Sequence, residues 1–370
     1  MTLRRFLLGM LAPTSALAFA FVVASLALLA VGVNPFSAFA AMGEFALSIP
    51  SFVSTMNRAV PLFLSGLAVA IGFKMKLFNI GVEGQYLLAA LMAAYLGVQV
   101  SMPAPLQVTF IIAVAMVVGA IWSGIAGVLK VWRGIHEVIS TIMLNFIAFG
   151  LTAYLLSNYF QEVDPGDLNI KTAELPPSGR FPSLNPVLEG LGFEVRAGSD
   201  LQGFLIIALL TGIAYYLLVW KTRFGYELRA SGINPGAARA SGVDPGAMVV
   251  KTMLLSGAIA GLVGLSPLLG FFHRYTQDFP SQLGFIGIAV GLLGRKHLVG
   301  IALGAILFGL MDRSALILDL RNVPREIVTI MQGMIVLAVV VAYEVVTRMI
   351  QAEEVREAAQ ATENHEREAA

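Results

Sequence analysis

The chain has 370 residues, of which 57% are hydrophobic and only 13% carry a charge. A water-soluble domain of this size needs more charged side chains to cover its surface, so the composition excludes an ordinary soluble globular protein. The formal net charge of +1 gives no indication of nucleic-acid binding, and the absence of cysteine excludes disulfides, thiolate zinc sites and a cysteine nucleophile. We therefore expect a helical membrane protein.

Ten apolar segments predict membrane-spanning helices, most of them with the roughly 20 residues that cross a bilayer core of about 30 Å. They lie at residues 12–33, 59–75, 82–101, 105–130, 137–158, 202–220, 248–272, 283–294, 298–318 and 327–347. The first segment is longer than the apolar core of a signal peptide, which favours an uncleaved helix. The eighth segment is short, so we expect it to be broken or half-buried.

The positions of Lys and Arg between these segments predict the orientation of the chain. The strongest basic cluster in a short connection, residues 221–251, is assigned to the cytoplasmic side together with Arg4 and Arg5. Ten spans then place both termini in the cytoplasm. The expected fold class is all-α, a polytopic membrane protein of about ten helices. Spans 2–5 would begin outside and spans 7–10 inside, so a duplicated unit would form an inverted repeat, as in many transporters.

Two hydrophilic regions lie outside the predicted spans. The external segment 159–200 contains five prolines and mixed charge, which predicts a long loop without regular structure. Such loops are often functional, and a passive connector is the alternative. The region after Arg348 is rich in Glu with interleaved Arg, and it predicts a solvated, partly frayed helix in the cytoplasm.

The segment FNIGVEGQ places Asn79, Glu83 and Gln85 at the mouth of an apolar helix, among glycines that allow a sharp turn. Glu83 has two interpretations. It caps N–H groups at the start of its helix, or it lines a polar path through the membrane with Asn79 and Gln85. A second break at 283–294, which contains Phe285, is assigned to the same path.

A second polar face lies in the segment HEVISTIMLN, where Glu137, Thr141 and Asn145 follow one another at intervals of one helical turn. Thr and Asn side chains join helices in membranes by hydrogen bonds, and they also suit contact with a neutral polar solute. Both interpretations stay open, and Thr141 and Asn145 are candidates for the solute path.

The basic internal connection contains a ten-residue repeat of Ser-Gly-x-x-Pro-Gly-Ala. Asn234 is expected to cap a short helix that starts at Pro235, and Asp244 is expected to cap the helix that enters the membrane. A capped helix that exposes Arg239 suits docking into the groove of a partner. An ordinary well-capped loop is the alternative.

Several enzyme signatures are absent from the sequence. It contains no G-x-x-x-x-G-K-[ST] loop for ATP, no H-E-x-x-H zinc motif and no G-x-S-x-G nucleophile elbow. The four histidines are scattered without the spacing of metal ligands. An intramembrane enzyme is therefore poorly supported, and no cofactor or metal is expected in this chain.

Four segments occur in an order that resembles the permease subunits of ATP-binding-cassette importers: FNIGVEGQ, HEVISTIMLN, RASGINPGAARASGVDPGA, and FIGIAVGLLG followed by HLVGI. The resemblance is to the branch that serves simple sugars, nucleosides and branched-chain amino acids, and it is closest to nucleoside-type permeases. It covers about residues 59–345. It implies a pair of permease subunits, usually different ones, and an extracytoplasmic solute-binding protein. It also implies separate cytoplasmic ATPase subunits that hold ATP and Mg.

The resemblance further implies that the loop Asn234–Asp244 is the coupling helix, which sits in a cleft of the ATPase. Arg229, Pro235 and Arg239 belong to the same candidate coupling region. We accordingly divide the chain into an N-terminal span with an outside connector, a permease domain and a cytoplasmic acidic tail. These parts are residues 1–58, residues 59–347 with the outside loop 159–200 and the coupling loop 221–250, and residues 348–370.

The expected function is that of a permease subunit of an ATP-driven importer in a bacterial-type plasma (inner) membrane. Its solute would be small, uncharged and polar, such as a nucleoside or a simple sugar like ribose, and the chain would perform no chemistry on it. The alternative is an ion-coupled secondary transporter with inverted repeats, which needs intramembrane carboxylates. Only Glu83 and Glu137 are candidates for that role, and both lie near the ends of spans.

Overall fold

The computed structural model describes residues 18–19, 21–46, 48–163, 167–192, 200–294, 297–320, 324, 326–339, 341, 345 and 348. These residues are mainly helical and contain no β-strand beyond two isolated bridges. The chain divides into two compact units, residues 1–45 with 314–370 and residues 46–313, and each is treated by itself. The predicted tail beyond Arg348 lies outside the described residues, as does the start of the first predicted span.

The helices in chain order are α1 (Phe21–Ala30), α2 (Pro35–Ala46), α3 (Ile49–Lys74), α4 (Val82–Gln99), α5 (Ala104–Arg133), α6 (Glu137–Leu155), α7 (Asn185–Gly190), α8 (Phe204–Lys221), α9 (Arg223–Ile233), α10 (Pro235–Ala240), α11 (Pro245–Gly261), α12 (Leu265–Pro267), α13 (Leu283–Leu293), α14 (Leu298–Leu320) and α15 (Glu326–Val339). Wider π-helical turns continue α6 over Leu156–Phe160 and α12 over Leu268–Phe272.

Six helical stretches among the described residues are long and apolar enough to cross a membrane. They are α3, α5, α6 with its π-helical turn, α8, the stretch from α11 through α12 to Phe272, and α14. The pair α1 and α2, which is bent by 116°, makes a seventh if it counts as one broken span. The prediction of an all-helical polytopic membrane protein is therefore confirmed.

Helix α3 begins ten residues earlier than the predicted span at 59–75. Ser48 caps it by accepting a hydrogen bond from the Ser51 N–H at 3.3 Å. The predicted start was wrong because the hydroxyl-rich residues before 59 were interpreted as a polar connector, whereas Ser51 is buried. Arg58 lies inside α3 and forms an ion pair with Asp312 of α14.

Small residues let the helices of the unit 46–313 approach closely. Gly257 and Gly261 of α11 lie against Gly119 of α5, and a Cβ on Gly119 would lie 3.0 Å from the Cα of Gly261. A Cβ on Gly287 of α13 would likewise overlap the side chain of Ser65 in α3. Glycine at these positions therefore allows the helix backbones to come together, as is usual for helices that pack in a membrane.

Helix α13 has 11 residues and rises about 16 Å, so it is too short to cross the bilayer core alone. This matches the short, broken span predicted at 283–294. Gln282 immediately before it has a φ of 68°, in the left-handed region that only a few non-glycine residues adopt. The chain therefore turns sharply before it enters α13.

The segment 159–200, which the sequence predicts on the outside, is more ordered in its described parts than predicted. The N–H of Thr172 donates to the oxygen of Tyr275 at 2.9 Å, and that of Leu175 donates to the oxygen of His273 at 2.7 Å. The prediction of a loop without regular structure was therefore wrong. Backbone pairing with a segment about a hundred residues away has no signature in the local sequence.

Several charged side chains of the segment 159–200 are paired. Lys171 donates to Asp167 at 2.6 Å, and this hydrogen bond lowers the pKa of Asp167 to about 2. Glu174 pairs with both Arg180 and Arg274, which links the segment to the residues that follow the π-helical turn after α12. Because exposed pairs of this kind add little stability, the backbone pairing is the stronger constraint on the segment.

Candidate functional site

Asn79 lies at the centre of a buried hydrogen-bond network in the turn between α3 and α4. Its amide exchanges two hydrogen bonds of 3.0 Å with the amide of Gln85, and its Nδ2 also donates to Ser256 Oγ of α11 at 2.9 Å. Ser256 Oγ in turn donates to the backbone oxygen of Ala68 in α3 at 2.6 Å. The network therefore fastens the turn to α3, α4 and α11.

Asn145 of α6 fixes the same turn from another side. Its Oδ1 accepts a hydrogen bond from the N–H of Gly84 at 2.9 Å, and its Nδ2 donates to the oxygen of Ile80 at 3.0 Å. Thr141 donates within its own helix, to the backbone oxygen of Glu137 at 2.7 Å. Of the two interpretations for this polar face, Asn145 thus fulfils the one in which amides join helices.

The carboxylate of Glu137 joins α5, α6 and the turn before α4. Its Oε2 lies 2.5 Å from Lys130 Nζ, and its Oε1 accepts a hydrogen bond from the N–H of Phe78 at 3.2 Å. The side chain is almost fully buried. Glu137 is therefore committed to contacts within the protein at the end of the bundle where α3 ends.

Glu83 caps a helix other than its own. It stands in the first turn of α4, but its carboxylate accepts hydrogen bonds from the N–H groups of Gln282 at 2.5 Å and Gly284 at 2.8 Å, at the start of α13. Tyr86 donates to it as well, at 2.9 Å. Of the two interpretations of Glu83, capping of its own helix is not what the structure shows, because its carboxylate accepts the free N–H groups at the start of the broken helix α13 instead.

Phe285 differs from the other five predicted path residues, because 44% of its surface is exposed. The other five are buried, and their polar atoms bond to protein groups. The sequence reasoning missed Ser256 and Tyr86, since a single hydroxyl in an apolar segment carries no distinguishing signal. No group of three metal-binding side chains occurs among the residues that the structure describes.

The two predicted helix caps are present, one at the start of α10 and one at the start of α11. Asn234 Oδ1 accepts from the N–H groups of Gly236 at 3.0 Å and Ala237 at 3.1 Å, and Pro235 occupies the first helical position. Asp244 Oδ1 caps α11 in the same way. The chain reverses between them at Gly242, whose φ is 83°. Arg239 is exposed on α10.

Helix α10 is fastened to the end of α3 through the last residues of α9. Gly232 lies so close to Lys74 and Met75 that a Cβ there would be 3.0 Å from the Met75 Cα. Lys76 Nζ donates to the oxygen of Ile233 at 3.3 Å. The loop and the turn before α4 therefore meet at one end of the unit.

Arg229 turns inward from the predicted coupling region. It donates to the backbone oxygen of Val219, and its guanidinium carbon lies 4.7 Å from the centre of the Trp220 ring. Lys74 Nζ lies over the same ring, at 4.8 Å. These contacts anchor α9 to the end of α8, which leaves Arg239 as the more exposed of the two predicted arginines.

Comparison with known proteins gives close relatives. The guanosine ABC transporter permease protein NupP of Bacillus subtilis is 36% identical over 79% of this chain and 81% of its own length. The glucose ABC transporter permease protein TsgB13 of Haloferax volcanii is 33% identical over 86% of this chain and 83% of its own. The nucleoside ABC transporter permease protein NupB of Lactococcus lactis is 30% identical, over 90% and 91% respectively.

The family model described as branched-chain amino acid transport system / permease component matches residues 51–340. That range contains every segment on which the resemblance in the sequence was based. Permease components of this kind are transport subunits and not enzymes. The chain therefore belongs to the family of branched-chain amino acid transport system permease components.

Proposed function

We propose that this chain is the membrane permease subunit of an ATP-driven importer whose solute is a nucleoside, with a simple sugar as the alternative. Two of the three relatives reported above are named for guanosine or nucleosides, and the third for glucose. The chain moves its solute by alternating access and does not modify it. ATP and Mg belong to a separate ATPase subunit in this proposal.

The observation that carries the proposal is the attachment of α10 to the turn before α4. A partner that moves α10 also moves Gly232 and Lys76, and with them the end of α3. The same turn contains Asn79, whose side-chain amide bonds to Gln85 of α4 and to Ser256 of α11. Motion of an ATPase bound to α10 would therefore be transmitted to α3, α4 and α11 through direct contacts.

The coupling role is accordingly proposed for Asn234, Pro235, Arg239 and Asp244, with Arg229 as the anchor of α9. Direct solute contact by Asn79, Glu83, Gln85, Thr141, Asn145 and Phe285 stays a prediction. The five buried residues form hydrogen bonds to protein groups, which favours a role in positioning the helices that line the path. Phe285 is partly exposed and is available to a solute.

We also propose ten spans with both termini in the cytoplasm. The six long stretches reach ten when the bent pair α1–α2, the 18-residue α4, the short α13 and α15 are added. Inverted repeats would then pair α3–α6 with α11, α13, α14 and α15. Helices α4 and α13 would correspond, and each follows a left-handed non-glycine residue, Lys76 or Gln282. The permease domain would start with α3, and the tail 348–370 would extend into the cytoplasm.

The partners proposed are an ATPase subunit, a second and different permease subunit, and an extracytoplasmic solute-binding protein, assembled in the plasma (inner) membrane. The binding protein would dock on the side that carries the external segment 159–200. Its paired charges and short elements make a shaped surface there.

The alternative, an ion-coupled secondary transporter, finds little support in the same residues. Such a protein needs an intramembrane carboxylate that exchanges an ion or a proton during transport. Glu83 is occupied in capping α13, and Glu137 is paired with Lys130. These contacts within the protein favour a structural role for both carboxylates over ion coupling.

The experiment that tests the proposal is uptake into proteoliposomes that contain this chain, its cognate ATPase and second permease, with the binding protein outside. We expect accumulation of radiolabelled guanosine or uridine that requires ATP inside and persists when ionophores collapse all ion gradients. Uptake that follows an ion gradient without ATP would contradict the proposal in favour of the alternative. Uptake of ribose or glucose alone would replace the proposed solute and keep the mechanism.

A further inference from the structure

A cavity of about 640 Å³ lies at the end of the unit 46–313 where α3, α8 and α13 begin. Its walls include Asn57 and Arg58 of α3, Gln202 before α8, Phe271 after α12, and Arg313 of α14. The volume is in the range of about 300–1,000 Å³ that is usual for sites of small molecules. Helix α10 lies at the other end of the unit, where α8 and α3 end.

Two arginines of this cavity, Arg58 and Arg313, have a buried Nε without a hydrogen-bond partner, but only Arg58 also has a carboxylate in an ion pair among the described residues. No ion pair forms at the guanidinium of Arg313 among the residues that the structure describes. The neighbouring Asp312 pairs with Arg58 instead. A guanidinium about 22 Å along a membrane helix from its start is costly without a partner, and such groups usually mark a solute path.

The remaining polar groups of the cavity are already bonded. Asn57 accepts from the N–H of Gln202 at 2.9 Å and donates to the oxygen of Asp200 at 2.7 Å. The side-chain oxygen of Gln202 accepts from Ser266 Oγ at 2.9 Å. Asp200 also lines the cavity, and its charge opposes that of Arg313. A neutral solute that offers hydrogen-bond acceptors to Arg313 therefore fits better than an anion.

An aromatic surface completes the cavity. Phe271 is 68% exposed, and its ring stands perpendicular to that of Phe272 with centroids 4.9 Å apart. Phe272 packs in turn on Phe279. The cavity thus contains both an aromatic ring that is supported by its neighbours and a planar guanidinium. A flat heterocycle can stack on such a ring while the polar atoms at its edge accept hydrogen bonds from the guanidinium.

We propose that this cavity binds the base of a 6-oxopurine nucleoside such as guanosine or inosine. The guanidinium of Arg313 donates to the adjacent O6 and N7 acceptors, and the ring of Phe271 stacks on the base. Two parallel donors match this acceptor pair, whereas adenosine presents an amino donor at position 6 and a sugar presents no planar acceptor edge. The inference rests on the proposed import of nucleosides and narrows it to one class.

The test is equilibrium binding of radiolabelled guanosine and adenosine to the complete permease–ATPase complex in nanodiscs, without the binding protein. We expect Arg313→Gln to weaken guanosine binding about 5- to 100-fold, the range for loss of a bidentate pair. The same variant should bind adenosine more tightly than the wild type, because a glutamine amide pairs with N6 and N7 of adenine. A purely structural role of Arg313 would not exchange the two preferences.

Two further variants accompany Arg313→Gln, a second substitution in the cavity and a control outside it. Phe271→Leu should weaken both purines about equally, and it carries the test if Arg313→Gln fails to assemble. Arg274→Gln is the matched control, since Arg274 pairs with Glu174 outside the cavity and its variant should bind like the wild type. Guanosine binding that neither cavity variant changes would overturn this inference and leave nucleoside import intact. A wild-type complex that binds sugars but no nucleoside would overturn the proposed solute as well.

Discussion

At the scale of single residues, the buried polar side chains around the turn before α4 form hydrogen bonds that join one helix to another. Asn79, Gln85 and Asn145 hold the turn before α4, and Glu83 holds the start of α13. In a bilayer no water is available to satisfy such groups, so each unpaired one carries a large cost. Polar residues that the sequence suggests for a solute path can therefore instead stabilise broken helices through hydrogen bonds.

Glu83 offers a direct test of that role. Glu83→Ala removes the acceptor of two backbone N–H groups at the start of α13, and each buried donor without a partner costs about 1–3 kcal/mol. Glu83→Gln keeps one acceptor oxygen and should lose less stability. We expect the midpoint of thermal unfolding in detergent to fall in the order wild type, Glu83→Gln, Glu83→Ala.

The matched control for these variants is Glu189→Ala, because Glu189 lies exposed on α7 and should leave the midpoint unchanged. An unchanged midpoint in Glu83→Ala, combined with slowed uptake, would show that Glu83 serves the solute and not the fold.

At the scale of elements, the predictable parts are those whose partners lie nearby in the sequence. Asn234 and Asp244 cap helices that begin one residue later, and the Pro-Gly pair after each of them indicates a helix start. The bond from Glu83 to Gly284 joins residues 201 positions apart, so no local pattern predicts it. The early start of α3 was missed because Ser51 and Thr55 are hydroxyl-bearing residues, and their burial is not visible in the local sequence.

The cap of α10 should matter for coupling more than for folding. Asn234→Ala removes the acceptor for the N–H groups of Gly236 and Ala237, which costs about 0.5–2 kcal/mol locally and loosens the first turn. We expect transport per ATP hydrolysed to fall, since a frayed α10 no longer passes the motion of the ATPase to the end of α3. The measurement is the ratio of guanosine uptake to phosphate release in proteoliposomes.

Ser241→Ala serves as the control for this variant. The Ser241 hydroxyl donates to the oxygen of Ala237 in the preceding turn at 3.0 Å, whereas the capping bonds of Ser241 come from its backbone N–H, which the substitution keeps. It should keep the wild-type ratio. A normal ratio in Asn234→Ala would contradict the proposal that α10 transmits the motion.

At the scale of the whole molecule, composition and the spacing of apolar segments are enough to predict a polytopic helical protein, because a bilayer leaves few ways to satisfy backbone groups. The same pattern does not fix which short helices cross. Helix α4 is central and buried, yet it is less apolar than the six long stretches, and α13 is too short to cross alone. The number of spans and the side on which each loop lies therefore need a measurement of their own.

The absence of cysteine makes that measurement direct, since single-cysteine variants need no altered background. Two exposed positions are suitable. Leu168 is 96% exposed in the segment 159–200, and Ala240 is exposed on α10. In intact cells we expect a membrane-impermeant maleimide to label Leu168→Cys but neither Ala240→Cys nor Ala370→Cys, which should react only after lysis. Ala370→Cys should not react in intact cells because an even number of spans returns the chain to the cytoplasm, the side on which the N-terminus is proposed to lie. Labelling of Ala240→Cys from outside would invert the orientation and remove α10 from the reach of a cytoplasmic ATPase.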